Sequence, residues 1–87
     1  MAQLGADVDQ LDNLANRFNN VADEIDGMVN QLGSQIHSAW WQGSDADRFR
    51  GDWDGQYRTN LMAVSNRLRD TATAVTQQAN QQRATSG

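Results

Sequence analysis

Apolar residues recur every seven positions along the first half of the chain. Three columns can be followed: Leu4, Leu11, Phe18, Ile25, Leu32 and Ala39; Val8, Ala15, Ala22, Val29 and Ile36; and Leu14, Val21 and Met28. This repeat is close to the 3.5 residues per turn of packed helices, and no strand-like alternation is seen. The pattern predicts one long helix over about residues 7–40.

A second helical pattern covers about residues 45–80. Its apolar and small positions are Ala46, Phe49, Trp53, Tyr57, Leu61, Val64, Leu68, Thr71, Ala72, Val75 and Ala79. They are spaced by four residues at first and later by three and four in turn. Residues 81–87 contain no large apolar side chain, so burial cannot offset the entropy lost on ordering them. We therefore expect this tail to fray.

Between the two patterns, residues 41–44 are predicted to form the bend of a hairpin. Gly43 suits the left-handed backbone that ends a helix. Ser44 and Asp47 have the spacing of a capping box for the helix that follows. Because so short a connection makes its helices antiparallel neighbours, the predicted fold is all-α, an antiparallel two-helix hairpin forming a single domain over residues 1–87.

Antiparallel pairing about residue 42 places Gly33 opposite Gly51 and beside Trp53. A glycine inside a helix costs roughly 1 kcal/mol relative to alanine. Two interpretations remain open: the glycine pair makes room for the indole ring of Trp53, or these positions simply tolerate glycine.

The three apolar columns of the first helix also predict association. One antiparallel neighbour covers about two columns, which leaves an exposed strip that soluble monomers rarely tolerate. That strip is expected to include several of Leu14, Val21, Met28, Val29 and Ile36. We expect two hairpins to pair into a four-helix bundle, and the lack of charge in these columns before Gln35 favours a homodimer over pairing with a sister chain. The residues predicted to pack in the core or the dimer are Leu11, Leu14, Phe18, Val21, Ile25, Met28, Leu32, Trp53, Tyr57, Leu61, Val64 and Leu68.

Composition narrows the functional classes. Seven Arg against eleven acidic residues give a net charge of −4, and the Arg are dispersed, which argues against a nucleic-acid partner. Cys is absent and His37 is the single histidine, so no metal site, no cofactor and no catalytic constellation is expected. The N-terminal residues lack the features of a signal peptide, and no apolar stretch is long enough to span a bilayer. These rules alone predict a soluble cytoplasmic protein that is not an enzyme.

The motif at the predicted bend indicates a family. Trp41-Gln42-Gly43 is followed by the small residue Ala46 and by the aromatic residues Phe49 and Trp53. The chain thereby resembles the W-x-G family of early secreted antigen type, the small substrates of type VII (ESX) secretion in actinobacteria and Firmicutes. Trp41 and Gly43 match the family motif.

The resemblance implies a non-enzymatic protein that acts through protein contacts. Its partners would be a second copy or a sister W-x-G hairpin, together with the type VII secretion ATPase. It would be made in the cytoplasm and secreted without a cleaved signal peptide, which replaces the cytoplasmic location that composition predicts.

One family feature is missing. Actinobacterial substrates or their partners often carry Y-x-x-x-D/E after the second helix, whereas the only tyrosine here, Tyr57, is followed four residues later by Leu61. Either a sister protein supplies the export signal, or this chain belongs to a homodimeric branch that uses another C-terminal signal. Two further functions stay open: an adaptor that escorts a larger secreted toxin to the machine, and a structural coiled coil unrelated to secretion.

Overall fold

Two long helical arms lie antiparallel, side by side. The structure is a computed structural model that describes residues 7–86, with the backbone alone at Ser86. Helix α1 spans Val8–Ser38. The second arm comprises helix α2 (Ser44–Asp52), a π-helical turn (Trp53–Tyr57) and helix α3 (Arg58–Ser86). The arms form a rod measuring 64 × 16 × 14 Å, which confirms the all-α hairpin.

The two predicted end segments fall partly outside the described residues. Leu4, at the head of one apolar column, lies outside them, as does Gly87 at the end of the tail. Within the described residues, α1 begins after Asp7, whose carboxylate accepts a hydrogen bond of 3.0 Å from the backbone N–H of Gln10. This is an N-cap interaction that satisfies one of the free N–H groups of the first turn.

The seam between the arms is formed by one column of α1. Its buried members are Ala15, Ala22, Val29 and Ile36, and the second arm contributes Ala46, Trp53, Ser65, Ala72 and Ala79. Small residues fill the half near the termini, which lets the helices approach closely, while the larger residues surround Trp53. The prediction that Val29 and Ile36 belong to an exposed strip is therefore wrong, because their column is the one that faces the second arm.

The π turn explains an irregularity in the second arm. The backbone N–H of Arg58 bonds the carbonyl of Trp53, five residues earlier, rather than that of a residue four earlier. One extra residue thus enters this turn, as in other π-bulges. Buried positions seven apart lead up to its first residue (Ala46, Trp53) and follow it (Ser65, Ala72, Ala79), with a change of phase between the two sets.

Helix α3 continues through Ser86, past the predicted end near residue 80. Ala79 is fully buried, and the guanidinium of Arg83 pairs with the carboxylate of Asp12 on α1. The fraying of residues 81–87 stays a prediction, and the buried Ala79 and the ion pair of Arg83 hold the neighbouring part of α3 against α1 where large apolar side chains are missing.

Candidate functional site

The bend occupies Ala39–Gly43, and the W-x-G residues lie in it without regular secondary structure. Helix α1 ends at Ser38, and Ala39 has extended backbone angles (φ −66°, ψ 142°). The first helix therefore ends well before Gly43. The prediction that Gly43 terminates this helix is wrong, and another group must satisfy the carbonyl oxygens left free at its C-terminus.

That group is the guanidinium of Arg50, on α2. Its Nε donates to the carbonyl of Ile36 (2.9 Å), Nη2 to Ala39 (3.1 Å) and Nη1 to Trp41 (2.9 Å). Its central carbon also lies 5.7 Å from the centroid of the Trp41 ring, which is within cation–π range. One cation thus binds the end of α1 and the W-x-G segment to α2, where a positive charge also complements the helix dipole.

Sequence reasoning did not identify Arg50. The residue follows Gly43 by seven positions, which places it two helical turns into α2. The signal that could have found it is an arginine about two turns into a helix that follows a short bend, within reach of the last carbonyl oxygens of the helix before it. Its partners are backbone oxygens, which carry no sequence signature of their own.

Gly43 acts as the N-cap of α2, with φ +119° and ψ 172°. Its carbonyl accepts the N–H of Asp47 at 3.0 Å. Ser44 is already the first residue of the helix, and no side chain caps this end. The predicted capping box of Ser44 and Asp47 is therefore not formed, because the helix begins one residue earlier than expected. Asp45 and Asp47 still lie in the first turn, where acids are favoured.

The aromatic residues beside the bend form a partly exposed ladder. The ring centroids of Trp41 and Phe49 are 6.0 Å apart, as are those of Phe49 and Tyr57, and both pairs are tilted. Trp41 is 43% exposed, whereas Trp40 is 88% exposed. Trp41 is thus held in place by Arg50 and Phe49 while much of its ring remains available to a partner.

Trp53 occupies the centre of the core, and Gly33 makes room for it. A Cβ added at Gly33 would lie 3.2 Å from Nε1 of Trp53, which is closer than ordinary van der Waals contact. This confirms that Gly33 accommodates the indole ring. A Cβ at Gly51 would meet nothing within 4 Å, so the proposed role of Gly51 in that pair is wrong.

The other predicted packing residues divide by face. Half-buried at the edges of the seam are Leu11, Phe18, Val21, Ile25 and Leu68. Exposed are Leu14, Met28, Leu32, Tyr57, Leu61 and Val64. These six do not pack between the two arms, so their packing stays a prediction for the expected dimer. On the second arm, the phase change at the π turn gives the seam to Ser65 in place of Leu61 and Val64. Met62, which was not predicted as a contact, packs against the cluster of Val29, Ile36 and Trp53.

Several exposed residues line an apolar groove along one flank of the hairpin. The groove has a volume of about 230 Å³ and is lined by Ile25, Met28, Val29, Leu32, Trp53 and Leu61. Met28 is 59% exposed, which is a large fraction for an apolar side chain in so small a protein.

Ser65 anchors a polar network within the seam. Its hydroxyl donates to Oδ1 of Asp26 (2.6 Å) and accepts from Nη1 of Arg69 (2.8 Å). Nη2 of Arg69 also donates to Asp26 Oδ2 (2.6 Å) and to Asp23 Oδ1 (2.7 Å). The Ser65 hydroxyl, followed by Arg69, holds the pKa of Asp26 below its usual range. The network ties α1 to α3 at one register.

Two kinds of feature were sought in the described residues, a cluster of potential metal ligands and a helix able to cross a membrane. Over residues 7–86, no three His, Cys, Asp or Glu side chains gather as metal ligands. None of the helices in this part of the chain is both long and apolar enough to cross a bilayer. Nε2 of His37 instead donates to Oδ1 of Asp54 at 2.8 Å, which links α1 to the π turn.

Comparison with known proteins identifies a family. The sequence model of the family described as "Proteins of 100 residues with WXG" matches residues 3–85. The matched range contains both arms, and Trp41-Gln42-Gly43 lies near its centre. No curated protein and no solved structure matches the chain. The family resemblance that the motif indicated is confirmed.

Proposed function

The chain belongs to the WXG100 family, whose members are small substrates of type VII secretion, and from this premise we propose that it is a non-enzymatic exported protein that acts through protein contacts. It would be made in the cytoplasm and exported without a cleaved signal peptide. The observation that carries this proposal is the W-x-G segment itself. It joins two antiparallel helices, and Arg50 holds Trp41 with its ring partly exposed.

Pairing through the apolar groove is the second part of the proposal. Met28, Leu32 and Leu61 lie together on one flank and are 59%, 45% and 38% exposed. Because the groove lining carries no charge, a second copy can present the same surface to it. We propose a homodimer in which four helices form a bundle. Pairing with a sister hairpin is the other outcome of the sedimentation test described below.

The aromatic ladder supports contact with the secretion ATPase at the bend. Trp41, Phe49 and Tyr57 form a row of half-exposed rings, and exposed aromatic residues are common anchors at protein interfaces. The apolar groove is farther from the bend than Trp41 is, and Trp41 does not line it. A second copy bound in the groove therefore leaves the ring of Trp41 free.

Export is tested by the fraction of protein found in culture medium. The wild-type chain should appear there in a host with an intact type VII system and be lost when its ATPase gene is deleted. Trp41→Ala should reduce the secreted fraction while the helical circular dichroism is retained. Trp40→Ala is the matched control, because the adjacent indole is almost fully exposed.

The outcomes separate export from stability. If Trp41→Ala is folded and is exported as well as Trp40→Ala, Trp41 has no role in recognition. If the wild-type secreted fraction does not depend on the ATPase, the proposed function is overturned.

A further inference from the structure

A polar cleft lies on the flank of the hairpin opposite the apolar groove. Its volume is about 320 Å³, and its polar lining consists of Asn30, Ser34, His37, Trp53, Asp54 and Arg58. The helical positions explain the two flanks. Asn30, Gly33 and His37 follow the buried Val29 and Ile36 by one or four residues, whereas Ile25, Met28 and Leu32 precede them by one or four. A partner in the groove therefore leaves the cleft open.

The indole N–H of Trp53 opens into this cleft. Trp53 is only 3% exposed, and its Nε1 donates to no acceptor within residues 7–85. Every fully buried side-chain nitrogen or oxygen of those residues has a hydrogen-bond partner, so Nε1 is not fully buried. The N–H therefore reaches the cleft. Gly33 permits this, because a Cβ there would lie 3.2 Å from Nε1 and cover it. Because nearly buried donors in proteins usually have an acceptor, an N–H group without one indicates a place where the acceptor of a ligand can bind.

Arg58 supplies a positive charge at the same place. It follows Asp54 by four residues, a spacing at which opposite charges in an α-helix usually pair. The extra residue of the π turn changes that geometry, and Asp54 bonds His37 across the seam instead. Over residues 7–85 the guanidinium of Arg58 makes no ion pair. The cleft thus holds one cation and one N–H donor that are both unused.

We propose that the cleft binds a carboxylate group. A carboxylate accepts hydrogen bonds and carries one negative charge, so it matches the indole N–H of Trp53 together with the single guanidinium of Arg58. The Ser34 hydroxyl and the Asn30 amide line the same space and add donors. Asp54 opposes an anion, but its Oδ1 already accepts from His37. The volume lies near the lower end for ligand pockets, which suits a small acid or one acidic side chain.

The binding test uses the indole N–H signals of the full ¹⁵N-labelled chain. Trp40, Trp41 and Trp53 each give one signal, which Trp→Phe variants assign. Sodium acetate and the capped tripeptide N-acetyl-Ala-Glu-Ala-amide serve as probes. Acetamide and the corresponding Gln tripeptide are the uncharged analogues, measured at the same ionic strength. The Trp53 signal should move and saturate in the millimolar range with the acids. The signals of Trp40 and Trp41 should not follow it.

Variants identify the groups that bind. Arg58→Gln should weaken binding about tenfold, the effect of losing a charged hydrogen bond. Arg67→Gln is the matched control, since it removes the same charge from an exposed residue outside the cleft. Gly33→Ala should weaken binding by covering Nε1, and the buried position of Trp53 can be checked from its fluorescence maximum.

Each result decides the proposal. Equal saturation by acetate and tripeptide indicates a free small acid, and tighter binding of the tripeptide indicates an acidic side chain of a partner protein. The proposal is overturned if the Trp53 signal does not saturate with either acid, or if the uncharged analogues shift it as much as the acids do. It is also overturned if Arg58→Gln binds the acids as tightly as Arg67→Gln. These measurements need no export, so they stand apart from the proposed function.

Discussion

At the residue scale, Arg50 joins segments that the sequence keeps apart. Its guanidinium bonds the carbonyl oxygens of Ile36, Ala39 and Trp41. A planar group with a fixed fork of donors can satisfy three acceptors in one geometry, which the ammonium of lysine cannot reproduce. The shape of the bend therefore depends on one side chain beyond the W-x-G motif.

Arg50→Gln should lower the free energy of unfolding by about 1–3 kcal/mol, because carbonyl oxygens at the end of α1 lose a charged donor. Urea unfolding followed by circular dichroism measures this. Arg48→Gln is the control, since Arg48 is exposed and forms no ion pair within residues 7–85. Equal stability of the two variants would show that the carbonyls are satisfied equally well by water.

Gly43 has a backbone that is nearly restricted to glycine. At φ +119° and ψ 172°, it lies outside the left-handed helical region that asparagine tolerates. The Gly43→Asn variant should therefore be no more stable than Gly43→Ala. Both should destabilise the protein by about 1–3 kcal/mol. Gly27→Ala is the control, because it adds a methyl group to open space within α1 and should stabilise the helix by up to about 1 kcal/mol. A stable Gly43→Asn variant would contradict this geometry.

At the element scale, the π turn sets which face of α3 meets α1. Ala46 is buried before it, Trp53 at its first residue, and Ser65, Ala72 and Ala79 after it. In an uninterrupted α-helix these two sets would not share a face. The turn also separates Asp54 from Arg58, which leaves Arg58 for the cleft. One inserted residue thus shapes both the core and the proposed carboxylate site.

Insertion of one alanine after Gln56 should rotate α3 by about 100° relative to α2. Ser65, Ala72 and Ala79 would leave the seam, so the cooperative thermal transition should broaden or disappear. Deletion of Gln56 is the matched control: it removes the extra residue of the π turn and restores a continuous α-helix that keeps these three residues on the face of Trp53, so its transition should stay sharp. Calorimetry of both variants tests this. A sharp wild-type transition after the insertion would mean that α3 does not depend on this register.

The Ser65 network adds a pH dependence between α1 and α3. The pKa of Asp26 is lowered in the folded state, first by the Ser65 hydroxyl and then by Arg69. The stability it contributes is therefore fully present above the unfolded carboxyl pKa of about 3.9 and is lost as the pH falls through the lower folded value. Urea midpoints between about pH 6 and pH 3 should fall, with a smaller change in Asp26→Asn. Asp70→Asn, at an exposed position outside the network, should keep the wild-type dependence, and an unchanged slope in Asp26→Asn would exclude this role.

At the scale of the whole molecule, the hairpin has two unlike flanks. The apolar groove contains Met28, Leu32 and Leu61, and the polar cleft contains His37 and Arg58. Trp53 lines both. A second copy seated on the groove buries the exposed apolar side chains and leaves the polar flank toward solvent, so pairing and ligand binding are compatible in one assembly.

Met28→Glu should dissociate the proposed homodimer, because it buries a charge in the apolar groove. Sedimentation equilibrium at tens of micromolar should give a dimer for the wild type and a monomer for the variant. Gln31→Glu, an exposed position one turn along α1, carries the same charge and should remain dimeric. A fully helical wild-type monomer would refute self-pairing, and dimerisation only with a sister hairpin would establish the heterodimer.

The seven-residue repeat, the absence of proline and the short central segment were sufficient to predict an antiparallel helical hairpin. The motif Trp41-Gln42-Gly43 predicted the family because it lies centrally between two helical patterns in an acidic chain without Pro or Cys. These features are local, since helical periodicity and bend residues act within a few positions along the chain. The contact between Gly33 and Trp53 could also be predicted, because antiparallel pairing fixes its approximate register.

The face of each helix that becomes the core was decided only by tertiary structure. All three columns of α1 are apolar, and the one that packs inward is the one whose small residues, Ala15 and Ala22, allow close approach. The π turn then placed Ser65 in the seam in place of Leu61 and Val64. Arg50 bonds backbone oxygens, which have no sequence pattern of their own. Arg58 has the spacing for an ion pair with Asp54, and the sequence does not indicate that Asp54 bonds His37 instead. Such features arise from geometry across the seam, so they are defined only once the two arms have packed.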